Sequence, residues 1–83
     1  MRLDKFLKIS RLIKRRTVAN EAADAGRCFI NGKQAKPSAE VKIGDTLEIR
    51  FGNNVTKVEV LSLSTTVRKE EASAMYRNLQ ETT

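Results

Sequence analysis

The sequence predicts an α+β domain in which two N-terminal helices pack on a small, mostly antiparallel sheet, with a further helix at the C-terminus. Three observations predict it. Leu3, Phe6, Leu7 and Ser10 recur at the i, i+3, i+4, i+7 spacing of one helical face. After Gly26 the period changes to alternation, punctuated by Asn31-Gly32, Gly44-Asp45 and Gly52-Asn53-Asn54. Ala72, Met75, Tyr76 and Leu79 then return to helical spacing.

In the first helix Lys5, Lys8 and Arg11 fall away from the apolar face, so the outer stripe is almost purely positive. Ile9, Leu12 and Ile13 add apolar contacts as the chain turns near residues 14–16. Thr17 is the expected N-cap of a second helix over residues 18–25, because its hydroxyl can accept from the free amides of the first turn. Gly26 is expected to close that helix in the left-handed conformation. Ala19, Ala22, Ala23 and Ala25 make the helix small-sided, which suits either tight helix packing or the close approach of an RNA backbone.

Asn31-Gly32 is a strong hairpin signal, since both residues tolerate the positive φ of a type I′ turn. Residues 33–36 return as the partner strand and Pro37-Ser38 breaks it. Val41 and Ile43 lead to the Gly44-Asp45 turn. Leu47, Ile49 and Phe51 then alternate with Glu48 and Arg50 as a half-buried strand. A further strand is expected over residues 55–63, with Val58 and Val60 on one face, and a last helix over residues 67–80. The expected organisation is a single domain, with residues 1–66 forming its RNA-binding part and 67–83 a C-terminal helix and tail.

The charge is polarised. Sixteen basic and ten acidic residues give a net +6, and the segment 1–16 alone holds seven basic residues against one acid, Asp4. The remaining nine basic and nine acidic residues balance, so the whole excess lies in the first fifth of the chain, a footprint suited to a polyanion. A basic helix also suits an anionic membrane surface or DNA, but here its apolar residues are needed for the core.

Catalysis and metal binding find few residues to work with. There is no histidine, and Cys28 is the single cysteine, so the usual zinc sets and the commonest general base are missing, and no disulfide can form within the chain. Cys28 reads as a small buried residue of a strand. Asp4, Asp24 and Asp45 read as helix-end charge, solvated helix face and turn chemistry. The glycines are isolated at turns and form neither a P-loop nor a dinucleotide fingerprint. No enzyme activity, cofactor or metal is expected. No apolar stretch would cross a bilayer and the start does not read as a secretory signal, so a cytoplasmic protein without membrane contact is expected.

With four aromatic residues in the chain, stacking of single-stranded bases is a poorer match than recognition of phosphates and shape. Phe29 alternates away from Cys28 and Ile30; it could stack on a base or pack beneath a neighbouring element. The turn at Asn31, Gly32 and Lys33 could add backbone amides and a cation to an RNA surface, or serve only as a tight turn.

The runs RLDKFL, KRRTVANEAADAGRCFINGKQAKPS and VKIGDTLEI resemble the RNA-binding domain named after ribosomal protein S-four, also called the alpha-L motif, over residues 2–49. The resemblance implies that the two helices and the following hairpin present an RNA-binding face. Arg16, three residues before Ala19, matches the family's arginine at the start of the second helix, while Arg15 stands where serine is usual. Over the whole chain, RLDKFLKISRLIKRRT and KEEASAMY are similar to stand-alone members of the family in bacterial ribosome-associated quality control. That similarity implies binding to obstructed large ribosomal subunits carrying peptidyl-tRNA, with contacts to large-subunit rRNA and to the tRNA. It also implies support, with the partner RqcH, for C-terminal alanine tailing of the stalled chain. Carried over by position, the RNA contacts are Arg2, Lys5, Lys8, Arg11, Lys14, Arg15 and Arg16, with Asn31, Gly32 and Lys33 from the hairpin. A monomer is expected. The alternatives are a heat-shock-protein-fifteen-like recycling factor of the large subunit and a general structured-RNA-binding module.

Overall fold

The computed structural model describes residues 1–63 and 69–79. Two helices, α1 (Leu3–Ile9) and α2 (Arg16–Asp24), precede strands β1 (Cys28–Ile30), β2 (Lys33–Gln34), β3 (Thr46–Phe51), β4 (Asn54–Val60) and β5 (Tyr76–Asn78), with a 3₁₀ helix at Lys69–Met75. The sheet is antiparallel throughout, in the order β2-β1-β3-β4-β5.

Each helix ends on a left-handed residue. Gly26, at φ 79°, follows α2; its amide returns to the Ala23 carbonyl and that of Arg27 to Ala22, so both last-turn acceptors are satisfied. A side chain at Gly26 would also run into the Gln34 carboxamide, whose Nε2 donates to the Gly26 carbonyl at 3.0 Å. Ser10 follows α1, and Arg11 then takes φ 63° with its amide on the Lys8 carbonyl at 3.1 Å.

The start of α1 is capped by tertiary contacts, since Arg2 makes no side-chain cap. The Leu3 and Asp4 amides, which an isolated helix would leave unpaired, donate to the carbonyls of Ala39 and Pro37. Arg2 pairs with Glu40 as an isolated bridge, and the Val41 amide donates to Met1. The loop after β2 therefore clamps the N-terminus in place.

Leu3, Phe6 and Leu7 of α1 and Ala19, Ala22 and Ala23 of α2 share one core with Cys28, Leu47, Ile49, Val58 and Val60 from the inner face of the sheet. The three alanines are buried, which settles the choice at those positions in favour of tight helix packing. Cys28 is 1 % exposed, and burial pushes its thiol up to about 11, as a packing residue requires.

The hairpin turn forms as the sequence predicts, with Asn31 at φ 52° and Gly32 at φ 83° joining the paired residues Ile30 and Lys33, but the returning strand expected over 33–36 ends at Gln34. Gly44, at φ 93°, turns the chain into β3.

Three further expectations are corrected. The last helix, predicted over 67–80, is instead the 3₁₀ stretch followed by β5; residues 67, 68 and 80 lie outside the described residues. Ala72 and Met75 are buried, and their i, i+3 spacing serves a 3₁₀ turn as well as an α-helix. Beyond Met75 the open edge of β4 takes the chain, pairing Val60 with Tyr76 and Val58 with Asn78. Thr17 is not a cap, because α2 begins one residue before it at Arg16, with Arg15 in the extended cap position and no side-chain cap. The strand expected over 55–63 runs from Asn54 to Val60, after a two-residue turn.

Candidate RNA-binding face

Six of the seven N-terminal cations, Arg2, Lys8, Arg11, Lys14, Arg15 and Arg16, are exposed and Lys5 is half-buried. They lie at the N-cap of α1 and along it, on the turn after it and at the start of α2. Among the described residues, Lys5, Lys8, Arg11, Lys14 and Arg15 make no ion pair. The sheet contrasts with this. Arg50 lies 2.6 Å from Glu48 and Lys57 3.9 Å from it, while Arg77 pairs with Glu59. Arg50, Lys57 and Arg77 on β3, β4 and β5 thus stand beside acids, whereas in the N-terminal segment only Arg2 and Arg16 share an acid, Asp4.

Phe29 is half-buried and lies under the Arg50 guanidinium, 4.5 Å from its ring centroid. One face of the ring is thus already covered by a cation of this chain.

At the centre of the helical surface lies a buried carboxylate that the sequence analysis reads only as helix-end charge. Asp4 is 2 % exposed. It accepts from Arg2 Nε and Nη2 at 3.2 Å each, from the Lys5 amide at 2.7 Å and from Asn20 Nδ2 at 3.2 Å, with Arg16 Nη2 at 3.6 Å. Burial raises the Asp4 carboxyl, but the Asn20 hydrogen bond, the Lys5 amide and the Arg16 and Arg2 guanidinium groups together outweigh it and hold its pKa below the ordinary value. A carboxyl lowered on folding stabilises the fold above its unfolded pKa and loses that contribution as pH falls through the lowered value. Asp4 also places negative charge beside the first turn of α2, a turn with no acid of its own. An open groove bordered by Asp4, Arg16, Thr17, Asn20 and Glu21 runs along this junction.

The structure thus brings Arg2 and Arg16 together through Asp4, whose sequence context marks only a helix-end charge, and Asn20, which no sequence pattern singles out. Asp4 had one available signal, being the sole acid in a strongly basic run. Asn20 had none, since its partner lies sixteen positions away. No hydrogen bond or ion pair among the described residues joins the β1–β2 turn to these cations. The Asn31 side chain instead braces the turn, accepting from the Thr46 amide at 2.9 Å and donating to Asp45 at 3.1 Å. Asn31, Gly32 and Lys33 are all exposed.

Arg11 pays a backbone cost to stand where it does, because a left-handed residue with a Cβ is disfavoured by about 1–2 kcal/mol. Arg11→Gly is expected to raise thermal stability by up to about 1 kcal/mol while weakening RNA binding, an opposition that chemical denaturation and binding isotherms on the same protein would reveal.

The family model described as the S4 domain matches residues 1–47, the two helices, the hairpin and the entry into β3. The chain belongs to the S4 domain family. S4 relatives of nearly the same length exist. The chain is 60% identical to the RQC P-site tRNA stabilizing factor of Bacillus subtilis, over 98% of this chain and 94% of that one. With the protein of the same name from Streptococcus pneumoniae it shares 54% identity over 99% and 93%. Among solved structures, a trimeric structure of Vibrio cholerae heat shock protein 15 has a TM-score of 0.85 at 34% identity, covering 94% of this chain and 80% of that one. The S4 match covers the whole surface on which the N-terminal cations lie.

Proposed function

We propose that the chain is a non-catalytic rRNA- and tRNA-binding factor of bacterial ribosome-associated quality control. In this reading it binds obstructed large ribosomal subunits that still hold peptidyl-tRNA and steadies the P-site tRNA. It thereby supports RqcH-dependent C-terminal alanine tailing of the stalled nascent chain, acting in the cytoplasm as a monomer. Arg2, Lys5, Lys8, Arg11, Lys14, Arg15 and Arg16 supply the RNA contacts, with Asn31, Gly32 and Lys33 as a second point of attachment. Arginine suits the task through a planar fork that reaches two phosphate oxygens, while lysine adds point charge.

The observation that carries this reading is the near-full-length identity of 60% to a factor whose name specifies P-site tRNA, on a chain that presents unpaired cations along its S4 helices. The 34% identity to heat shock protein 15 makes a recycling role of that kind the weaker reading.

Affinity purification from cells, followed by identification of the bound RNA and of the state of its nascent chain, tests the proposal directly. Large-subunit rRNA, tRNA and alanine-tailed chains are expected together; recovery of small-subunit particles or free mRNA would refute it. In a salt titration, about six phosphate contacts on duplex RNA should reduce affinity roughly 10³-fold between 50 and 200 mM. A nearly flat dependence would show that the cations do not carry the binding.

A further inference from the structure

We propose that Asp4, fixed by Asn20 and the Lys5 amide, is a positioning residue that holds the Arg2 and Arg16 guanidinium groups together as one clamp for a single RNA phosphate. This rests on the RNA-binding reading of the helical face and goes beyond it, because it assigns a cooperative unit and a role to an acid within a basic surface.

The geometry is that of a shared counterion. Arg2 spends two N–H groups on Asp4, through Nε and Nη2 at 3.2 Å each, and Arg16 brings Nη2 to 3.6 Å from the same carboxylate. A guanidinium has five N–H donors, so Arg2 keeps three for a ligand and Arg16 at least as many. The Arg2 and Arg16 side chains are 52% and 49% exposed while that of Asp4 is 3% exposed. The carboxylate is therefore buried, while about half of each arginine side chain is open to a ligand.

Two guanidinium groups this close would repel each other and occupy many rotamers. A carboxylate between them offsets the repulsion and removes the rotamer freedom before RNA arrives, so less is lost on binding. A phosphate seated over both would receive charge-assisted hydrogen bonds from two planar forks. Asn20 has a defined part: its Nδ2 holds Asp4 Oδ2 from α2, which fixes the carboxylate relative to the helix that carries Arg16.

The sign of one measurement separates this role from its rivals. Asp4→Asn raises the net charge by one and removes an acid beside two arginines. Simple electrostatics then predicts tighter binding to RNA, and a purely structural role predicts lower stability with the affinity of folded molecules unchanged. The clamp predicts weaker binding by folded molecules, about tenfold for loss of one charge-assisted contact. It also predicts a salt dependence shallower by about one phosphate.

The test uses the full chain and a transcribed tRNA as probe, with affinity measured from 50 to 200 mM salt well below each variant's unfolding temperature. Asp4→Asn is expected to bind about tenfold more weakly, and its Arg2 Nε–H is expected to exchange with solvent faster than in the wild type, where it donates to Asp4. Asn20→Ala leaves every charge in place on an exposed helical position and is expected to lose binding in the same direction by a smaller factor, so the question stays answerable if Asp4→Asn does not fold. Equal or tighter tRNA binding by folded Asp4→Asn, or unchanged binding by Asn20→Ala, would overturn the clamp. An Arg2→Ala/Arg16→Ala control that binds tRNA like the wild type would instead remove the RNA-binding reading of the face, so the two failures are distinct.

Discussion

Replacement of Arg2 and Arg16 together by alanine is expected to abolish cosedimentation with large ribosomal subunits. Each arginine offers charge-assisted hydrogen bonds worth about 1.5–3 kcal/mol, so losing both lowers affinity by about 10²–10⁴-fold. The substitutions also take two partners from Asp4, leaving its carboxylate with the Lys5 amide and Asn20. Both guanidinium groups are half exposed, which limits the stability cost to about 1–2 kcal/mol. The domain should therefore fold, with a lower melting temperature, and circular dichroism at the sedimentation temperature verifies this. Undiminished association of the folded double variant would show that the binding surface lies elsewhere.

Phe6→Ala is expected to have the largest effect on stability. Phe6 is fully buried at the centre of the core that joins α1, α2 and the sheet. Truncating such a ring costs about 3–5 kcal/mol. A domain of this size has about 4–12 kcal/mol in all, so the variant should be close to unfolding at ordinary temperatures. At about 4–8 °C per kcal/mol, its melting temperature should fall by more than about 12 °C in a calorimetric scan. Lys8→Ala, on the exposed side of the same helix, should shift it little. A drop of only a few degrees for Phe6→Ala would mean that α1 is not what closes the core.

The two experiments probe different links of the same chain of causes. Phe6 anchors α1 to the sheet, and the anchored helix presents Arg2 and Asp4 to the start of α2. Loss of the anchor should remove binding by unfolding the surface; loss of the arginines should remove it on an intact fold.

Much of the architecture was legible in the residues. Leu3, Phe6 and Leu7 of α1 and Ser10 at its C-cap are all buried, as their spacing requires. Asn31-Gly32 forms the expected turn, and Leu47 and Ile49 face inward while Glu48 and Arg50 do not. These features are local: a helical period, an alternation or a positive-φ turn is written within a few neighbouring residues. The concentration of cations in the first sixteen residues belongs to the same category, since any helix-turn-helix built from that segment presents them together.

Tertiary structure decided what depends on a distant partner. The segment containing Met75 and Tyr76 has the spacing of a helix, yet residues 76–78 become a strand because β4 offers an unpaired edge whose hydrogen bonds outweigh local preference. Thr17 has the chemistry of a cap, but α2 starts at Arg16, whose side chain reaches the Asp4 carboxylate on α1. Asp4 itself has the sequence appearance of a helix-end charge and the structural position of a hub, because its partners Arg16 and Asn20 arrive from another helix. The sequence by itself determined the two N-terminal helices, the turns, the inner face of the sheet and the sign and place of the charge. Only the assembled molecule decided which cations share a counterion and where the C-terminal segment docks, since both depend on groups that no local pattern brings together.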